Sequence, residues 1–364
     1  MKNLPYANLS ANSGNFINVS VGIITFFVIG WVLVVGQTII LPMMIALFLS
    51  FVLDPIVNLF TRIKLPLAIS VFLTLLLAFI FLYLVGLLIY ASIQNFINEL
   101  PVYVSRLEIL IKDTTLFIEK LIGQPIKIKP LKRLDWLNSE QSFSIARGLL
   151  SSVGTFVTFV FKMFLVIIII AFLLMGKRNI SDKVFSAFQK KQANQITSIL
   201  HNITTQIQKY IGAKMVISFF TGAFSLIVFF SFGLDFAIFW AFIIFLFNFI
   251  PNIGSIIASI LPALFSILQF GSFAPAFWLI LIVAVIQIIM GNVAEPRLMG
   301  RSLNLSPLMV ILSLIFWGYI WGIAGMILAV PILGTITIIF ENIASLRFIS
   351  VFLRGNVSKS TNQS

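Results

Sequence analysis

The side chains that could do chemistry in this chain are uncharged amides and hydroxyls beside breaks in apolar sequence. No Asp, Glu, Lys or Arg occurs between Asp235 and Glu295, yet Pro251 to Gly254 interrupt this stretch. Amides and hydroxyls at such a break can bind a neutral, hydroxyl-rich solute, or can only satisfy the broken backbone and hold helices together. The candidates for substrate contact are Asn248, Pro251, Asn252, Gly254, Ser255, Gln287 and Asn292.

Glu295 is the acidic residue that best fits a role in coupling to a cation. A carboxylate at membrane depth is costly, and such residues often have a function. Gln287 and Glu295 share a face if the helix reaches that far, and Pro296 is expected to end it there. The alternative is that Glu295 pairs with Arg297 or Arg301 and only stabilises a connector.

Metal, cofactor and catalytic chemistry have little support in the sequence. The chain has no cysteine, and its single histidine is His201. One imidazole without clustered carboxylates argues against a metal site, and no catalytic arrangement is recognisable at spanning depth. We therefore expect no metal, no cofactor and no enzymatic activity.

Composition predicts an all-α polytopic membrane protein. The chain is 60% hydrophobic and 10% charged, whereas soluble domains carry about 25% charged residues. The charge-free stretches predict about eight membrane segments, including two broken or re-entrant helical hairpins. The net charge of +13 is explained by basic loops beside the spans, and no nucleic-acid partner is expected.

Polar segments divide the chain into successive regions. Membrane spans 1–3 occupy residues 1–92, an external amphipathic helical segment residues 93–150, and span 4 residues 151–176. Residues 177–213 form a basic cytoplasmic amphipathic segment. Residues 214–342 form the transport region, with span 5, a hairpin, a further span and a second hairpin, and residues 343–364 form a cytoplasmic tail.

Lysine and arginine predict the orientation of these regions. Basic residues outnumber the single acidic residue, Asp182, between Lys177 and Lys214, which places that segment in the cytoplasm. Counting spans from it puts the other basic loops and both termini on the same side. Both termini are therefore expected on the cytoplasmic side of the membrane.

Two interruptions shape the transport region. Residues 236–250 would make about 22 Å of helix, less than the ~30 Å hydrocarbon core. A hairpin entering from outside, with Pro251 to Gly254 at its tip, explains this length. A second hairpin from the inside would turn near Gly318, Gly322 and Gly325. Two tightly turned complete spans would give the same sidedness.

Apolar residues in the external segment recur at spacings of three and four from Ile93 to Leu121. The stripe predicts a helix that lies on its own protein or on lipid headgroups, or one that contacts another subunit. Pro101 is expected to interrupt this helix.

Motifs along nearly the whole chain resemble the AI-2E family of bacterial transporters, the autoinducer-2 exporter-like permeases. Pro251 to Gly254 look like the family's Pro-x-Ile-Gly turn, and the most specific block runs from Gly291 to Leu303. Further matches are Leu41-Pro42, Asp54-Pro55-Ile56-Val57, Tyr210-Ile211-Gly212, Leu261-Pro262-Ala263, Gln287 and Ala329-Val330-Pro331-Ile332.

The resemblance implies export of a small solute, with sodium/proton antiport proposed for some members. It also implies a ring-like homo-oligomer, for which we expect a pentamer, and a transport domain that moves against a scaffold. The expected hinge and packing residues are Gly291, Pro296, Gly318, Gly322, Gly325 and Pro331. Met290 and Ser306 stand where many members have titratable residues, which weakens the case for ion coupling through those positions. Ser255 stands where many members have proline.

These observations favour a secondary transporter of a small neutral organic solute, with lipid and solute as its partners. A sodium/proton antiporter is the first alternative and requires an essential carboxylate such as Glu295. A passive pore formed by the oligomer is the second.

Overall fold

The computed structural model describes residues 9–123, 153–299, 303–343 and 345–355. The ends of the predicted external segment and of the tail, residues 124–150 and 356–364, lie outside this description. The chain forms the helices α1 (Leu9–Val35), α2 (Gln37–Arg62), α3 (Leu67–Ile122), α4 (Val153–Gly176), α5 (Ile180–Ala187), α6 (Lys190–Ser231), α7 (Ala237–Phe247), α8 (Ile253–Phe270), α9 (Phe273–Ile289), α10 (Glu295–Met299), α11 (Pro307–Asn342) and α12 (Arg347–Leu353). A π-helical turn, Met290–Ala294, joins α9 to α10.

The all-α polytopic prediction is confirmed. Among the described residues, 6 helices are long and apolar enough to cross a membrane. The number rises to 7 if α4 and α5, which meet at an angle of 64°, are counted as one bent span. Shorter apolar helices include Ser20–Val35 and Ala237–Phe247. The second of these is one arm of the first predicted hairpin.

Two helices are longer than the sequence suggested. Helix α3 carries the third span and the external stripe without a break, so the expectation that Pro101 interrupts it is wrong. Proline removes one hydrogen bond of a helix, and Pro101 is exposed, so water can satisfy the freed carbonyl. Helix α6 likewise joins the basic amphipathic segment to the fifth span.

Helix α6 is the axis along which the two predicted hairpins are arranged. Its C-terminal end, at Phe229, packs with Leu234 and Ala237 at the base of the first hairpin. At its middle, an added β-carbon on Gly222 would lie 3.1 Å from the Ala241 carbonyl oxygen. The lower part of α6, from Ile207 to Ile211, packs against the second hairpin and its connector.

The first hairpin, hairpin 1, consists of α7 and α8 with a turn at residues 248–252. Near its base the rings of Trp240 and Phe265 lie 5.4 Å apart, and Gln269 Nε2 donates to the Gly233 carbonyl oxygen at 2.8 Å. At its tip, Asn248 contacts Ser218 of α6. From Phe229 to Ser218, α6 rises about 16 Å. That depth is less than a ~30 Å hydrocarbon core, as in a re-entrant hairpin, whereas the second arm, α8, is one of the helices long enough to cross a membrane. That hairpin 1 is re-entrant stays a prediction.

The second hairpin, hairpin 2, is contained in α11, which reverses at Gly322. This glycine has φ 63° and ψ −144°, a backbone conformation that other residues rarely adopt. The two arms run antiparallel, because Ser313 Oγ donates to the Ala329 carbonyl oxygen at 3.0 Å. The arms also approach closely at Gly325, where an added β-carbon would lie 2.0 Å from the Trp317 carbonyl oxygen.

The two hairpins enter from opposite ends of α6 and meet. Ile250, at the tip of hairpin 1, is buried in one cluster with Leu314 and Ala329 from the two arms of hairpin 2. The bases are far apart, since one packs on Phe229 and the other on residues 207–211 of α6. The opposed hairpins therefore form one packed unit around α6.

The remaining spans form a separate cluster. Residues of α2, α3 and α4, including Ala46, Val71 and Ile170, share a buried apolar core. Asp54 of α2 joins this cluster to α6, because it accepts hydrogen bonds from Lys177 at 2.6 Å and from Gln208 at 2.7 Å. A buried carboxylate with these partners is well suited to a scaffold role.

The chain after α12 returns to the connector that precedes hairpin 2. Ser306 N donates to the Leu353 carbonyl oxygen at 2.8 Å, and Gly355 N donates to the Asn304 carbonyl oxygen at 2.9 Å. Arg354 forms an ion pair with Glu341 of hairpin 2. These contacts hold the tail against the base of hairpin 2.

Candidate functional site

The candidate site lies where the tip of hairpin 1, the π-helical turn and the middle of α6 come together. Lys214 and Ser218 are one turn apart on α6 and therefore share a face. Ser218 contacts the hairpin tip, and Lys214 contacts the residue that follows the π-helical turn. We call this region the central site.

The tip of hairpin 1 has a tight backbone that depends on particular residues. Asn252 has φ 59° and ψ −58°, outside the usual conformations of an L-residue. A β-carbon on Gly254 would lie 1.9 Å from the Phe247 carbonyl oxygen, so only glycine fits. Pro251 is part of the turn, and Ser255 Oγ donates to the Asn252 carbonyl oxygen at 2.8 Å. The tip is thus fixed by local chemistry.

Asn248 connects this tip to α6. Its Nδ2 donates to Ser218 Oγ at 3.0 Å, and Ser218 is fully buried. Part of the amide's hydrogen-bonding capacity is therefore used inside the protein, while its Oδ1 atom keeps its acceptor capacity.

Gln287 connects hairpin 1 to α9. Its Nε2 donates to the Ser255 carbonyl oxygen at 3.0 Å and to Ser259 Oγ at 2.7 Å. Helices α8 and α9 run antiparallel, so the register that places Ser255 opposite Gln287 brings Asn252 to the level of Met290. The exposed Asn252 side chain therefore lies beside the π-helical turn.

The π-helical turn contains Gly291 and Asn292. The Glu295 N–H donates to the Met290 carbonyl oxygen, which adds one residue to the ordinary helical turn. The prediction that Pro296 ends the helix is wrong, because the chain continues as α10 to Met299. The wider turn accommodates a proline, which has no N–H to donate.

Glu295 is paired with a residue that the sequence did not point to. Lys214 Nζ lies 2.8 Å from one Glu295 carboxylate oxygen and 2.9 Å from the other. The sequence suggested Arg297 or Arg301 as the partner of Glu295. Lys214 is the partner in this pair, and Arg301 lies outside the described residues. The side chain of Lys214 is 4% exposed and that of Glu295 is 26% exposed. Sequence assigns Lys214 to a basic segment, and only the packing of α6 shows that it is buried.

The residues expected to act as hinges lie at three places. Gly291 and Pro296 are in and just after the π-helical turn, and an added β-carbon on Gly291 would meet no neighbour. Gly318, Gly322 and Gly325 surround the reversal of hairpin 2, and Gly318 lies against Met326. Pro331 is buried in the second arm and lines a cavity against α2. Their roles in movement stay predictions.

The central site offers neutral hydrogen-bonding groups and a compensated charge pair. The Asn252 and Asn292 side chains are exposed, and neither side chain forms a hydrogen bond with another described residue. The charges of Lys214 and Glu295 offset each other. Such a surface can bind hydroxyl and carbonyl groups but offers no net charge to an ion. Within the described ranges, no three His, Asp or Glu side chains are grouped so as to hold a metal ion.

A second polar cluster lies at the base of hairpin 1 and was not predicted. Tyr103 Oη lies 2.7 Å from Glu99 Oε2 and 3.0 Å from Asp235 Oδ2, within reach to donate to either carboxylate. Arg106 donates to the Gln269 carbonyl oxygen. Burial and these two carboxylates raise the pKa of the Tyr103 phenol. The cluster joins three neighbouring residues of α3 to Asp235 and Gln269, at sequence separations of 132 and 163 residues, so no local pattern could indicate it.

Comparison with known proteins identifies the family. The sequence profile described as AI-2E family transporter matches residues 21–345, which is most of the chain. The chain belongs to the AI-2E transporter family. This confirms the resemblance seen in the motifs, and it makes the chain a membrane transport protein.

Several curated relatives have similar lengths and transport names. AI-2 transport protein TqsA of Escherichia coli K12 is 28% identical over 86% of this chain and 89% of the relative. A Borreliella burgdorferi protein, provisionally named a transport protein, is 30% identical over 88% of this chain and 86% of the relative. The similarly provisional transport protein YueF of Bacillus subtilis is 28% identical over 85% of each chain.

Proposed function

We propose that this AI-2E family transporter is a secondary exporter of a small, neutral, hydroxyl-rich organic solute. The observation that carries the proposal is the meeting of two opposed hairpins beside uncharged hydrogen-bonding groups. Broken helices at membrane depth are typical of transporter solute sites. The name of TqsA, an AI-2 transport protein, supports a solute like autoinducer-2.

The solute contacts are proposed to come from groups that the protein leaves available. These are the exposed amides of Asn252 and Asn292 and the Gln287 Oε1 atom. Asn248, Pro251, Gly254 and Ser255 hold the tip in shape. A neutral solute is favoured because Lys214 and Glu295 already compensate each other, so an anion would have to displace Glu295 and a cation would have to displace the buried Lys214.

Transport is proposed to occur through movement of the hairpin unit relative to the cluster of α2, α3 and α4. The reversals at Asn252 and Gly322 are suited to gating, since hinges are usually a few residues at element ends. We further propose an inner-membrane location with both termini in the cytoplasm. A homo-oligomer, with five subunits, is proposed from the family resemblance and from exposed apolar side chains on the outer part of α3, such as Ile109 and Leu121.

Solute counterflow in proteoliposomes tests the proposal, with a panel of sugar-like and hydroxylated solutes against charged ones. Asn252→Ala should reduce counterflow of the preferred solute about tenfold, the loss expected for one or two hydrogen bonds in a site. Asn98→Ala, which removes an exposed amide on α3, is the control and should keep the parent rate. Equal rates for Asn252→Ala and Asn98→Ala would remove Asn252 from the site. Preferential transport of charged solutes would reject the neutral class.

A sodium/proton antiporter remains the alternative, supported by the partial exposure of Glu295. It predicts sodium-driven proton movement in vesicles that is lost in Glu295→Gln. No exchange in the parent protein would exclude it. A passive pore would instead give ohmic currents in planar bilayers without counterflow.

A further inference from the structure

An apolar chamber lies between α3 and hairpin 1, away from the central site. Its volume is about 370 Å³, within the usual range for ligand cavities. Its lining consists of Ser92, Ile93, Phe96, Phe236, Phe239, Trp240, Leu261, Leu264, Phe265 and Leu268. From Leu261 to Leu268, α8 rises about 10 Å. Ile93, Leu261 and Leu264 remain exposed, so the chamber opens sideways toward the surrounding lipid.

A polar vestibule adjoins this chamber at the base of hairpin 1. It is an open cavity of about 650 Å³ lined by Arg106, Ile109, Asp235, Gln269, Phe270 and Gly271. Two of its residues, Asp235 and Gln269, directly neighbour the chamber residues Phe236 and Leu268 in the chain. Along α3, Arg106 lies about 15 Å beyond the chamber residue Phe96.

Tyr103 lies beside both spaces and contacts residues that line each of them. Its ring lies 6.0 Å from that of Phe96 and 5.2 Å from that of Phe265, both of which line the chamber. Its hydroxyl lies 3.0 Å from Asp235 Oδ2, which lines the vestibule. The chamber and the vestibule are therefore parts of one amphipathic site, apolar at depth and charged where α3 leaves the hydrocarbon.

We propose that this site binds a zwitterionic phospholipid with an ethanolamine headgroup, taken from the surrounding membrane. One acyl chain occupies the chamber. The phosphate pairs with Arg106, whose guanidinium has five N–H donors and uses one on the Gln269 carbonyl oxygen. The ammonium pairs with Asp235.

Charge complementarity selects this headgroup over the others. Arg106 and Asp235 line the same cavity with opposite charges, which matches a headgroup that carries both signs. Glu99 is within hydrogen-bond distance of the same Tyr103 hydroxyl and adds a second negative charge nearby. An anionic phosphoglycerol headgroup would satisfy Arg106 but would offer Asp235 only neutral hydroxyls, without the ammonium group that compensates its charge. The bound lipid fills the space between α3 and hairpin 1.

Retained lipid, measured by native mass spectrometry, tests the proposal. The full-length protein is extracted from membranes that contain ethanolamine and glycerol phospholipids in equal amounts. The parent protein should retain the ethanolamine lipid at least about tenfold in preference to the glycerol lipid, the difference expected from one charge-assisted hydrogen bond. Asp235→Asn should remove that preference, whereas Arg106→Gln should reduce retention of both lipids, because both carry the phosphate that Arg106 binds. Equal retention of the two lipids by the parent would overturn the headgroup assignment.

A matched pair of variants tests the chamber without removing any polar contact. Leu264 lines the chamber, whereas Leu84 lies on an exposed face of α3. The two residues are equally exposed, at 54% each. Leu264→Trp should reduce ethanolamine-lipid retention to background, because the indole occupies the acyl-chain space. Leu84→Trp should retain lipid like the parent. The proposal fails if both tryptophan variants, eluting as the same oligomer on gel filtration, retain equal amounts.

Discussion

Breaking the ion pair between Lys214 and Glu295 should destabilise the protein by an amount that depends on which partner is removed. Glu295→Gln leaves an ammonium group with a side-chain exposure of 4%. Stranding a buried charge of this kind costs about 3–5 kcal/mol. Lys214→Met leaves a carboxylate that is 26% exposed, which water can partly solvate, so we expect a smaller cost of about 1–2 kcal/mol.

The double variant Lys214→Met/Glu295→Gln should recover most of the lost stability, because neither charge is then stranded. Denaturant unfolding of the purified protein in detergent micelles, followed by helical circular dichroism, provides the four free energies of a double-mutant cycle. We expect a coupling energy of about 2 kcal/mol or more between the two residues. Additive losses, or a larger loss for Lys214→Met than for Glu295→Gln, would refute the argument from burial.

The same three variants separate a structural role of the pair from a role in coupling. If the pair only stabilises the π-helical turn, counterflow of the neutral solute should be near the parent rate in the double variant. If Glu295 carries a coupling cation, transport should be lost in the double variant despite its recovered stability.

Three further outcomes are expected. Gly254→Ala should lower the free energy of unfolding by about 3 kcal/mol, because the added β-carbon would lie 1.9 Å from a backbone carbonyl oxygen. Gly212→Ala is the control and should have little effect in the same unfolding assay, because there is open space around Gly212. Tyr103→Phe should lower the free energy of unfolding by about 1.5–3 kcal/mol at neutral pH. Because the folded-state pKa of this phenol is raised, the stability from its hydrogen bond should be complete below the unfolded pKa of about 10 and should decline at higher pH. In a pH series, the unfolding free energies of parent and variant should therefore converge at high pH. Deleting residues 345–364 should increase amide hydrogen exchange in the lower part of hairpin 2, because both backbone hydrogen bonds to residues 304–306 are lost; unchanged exchange would show that the tail does not restrain the hairpin.

The positions of the two reversals were predictable from sequence because they depend on local backbone chemistry. A proline and a glycine within an uncharged stretch predicted the turn near Pro251 to Gly254. The glycines near residue 322 predicted the second reversal, where Gly322 has a positive φ. Span composition likewise predicted the all-α membrane class, because each segment that crosses lipid must be apolar on its own.

The course of α3 and α9 was harder to predict, because a proline in a helix has more than one outcome. Pro101 and Pro296 are both ordinary indicators of a helix end. In the folded protein the first lies within a continuous helix with an exposed side chain, and the second follows a π-helical turn. Which outcome occurs depends on the groups available to the freed carbonyl, and these come from the surroundings.

Sequence alone determined the class of the protein, its family, and the neutral character of the groups at the hairpin tip. Tertiary structure decided which of those groups remain available: Asn248 and Gln287 donate to Ser218, Ser255 and Ser259, whereas Asn252 stays exposed. It also decided the partner of Glu295 and the amphipathic site at the base of hairpin 1. The physical reason is that each of these contacts joins residues far apart in the chain, and only the packing of α3, α6 and the two hairpins brings them within hydrogen-bonding distance.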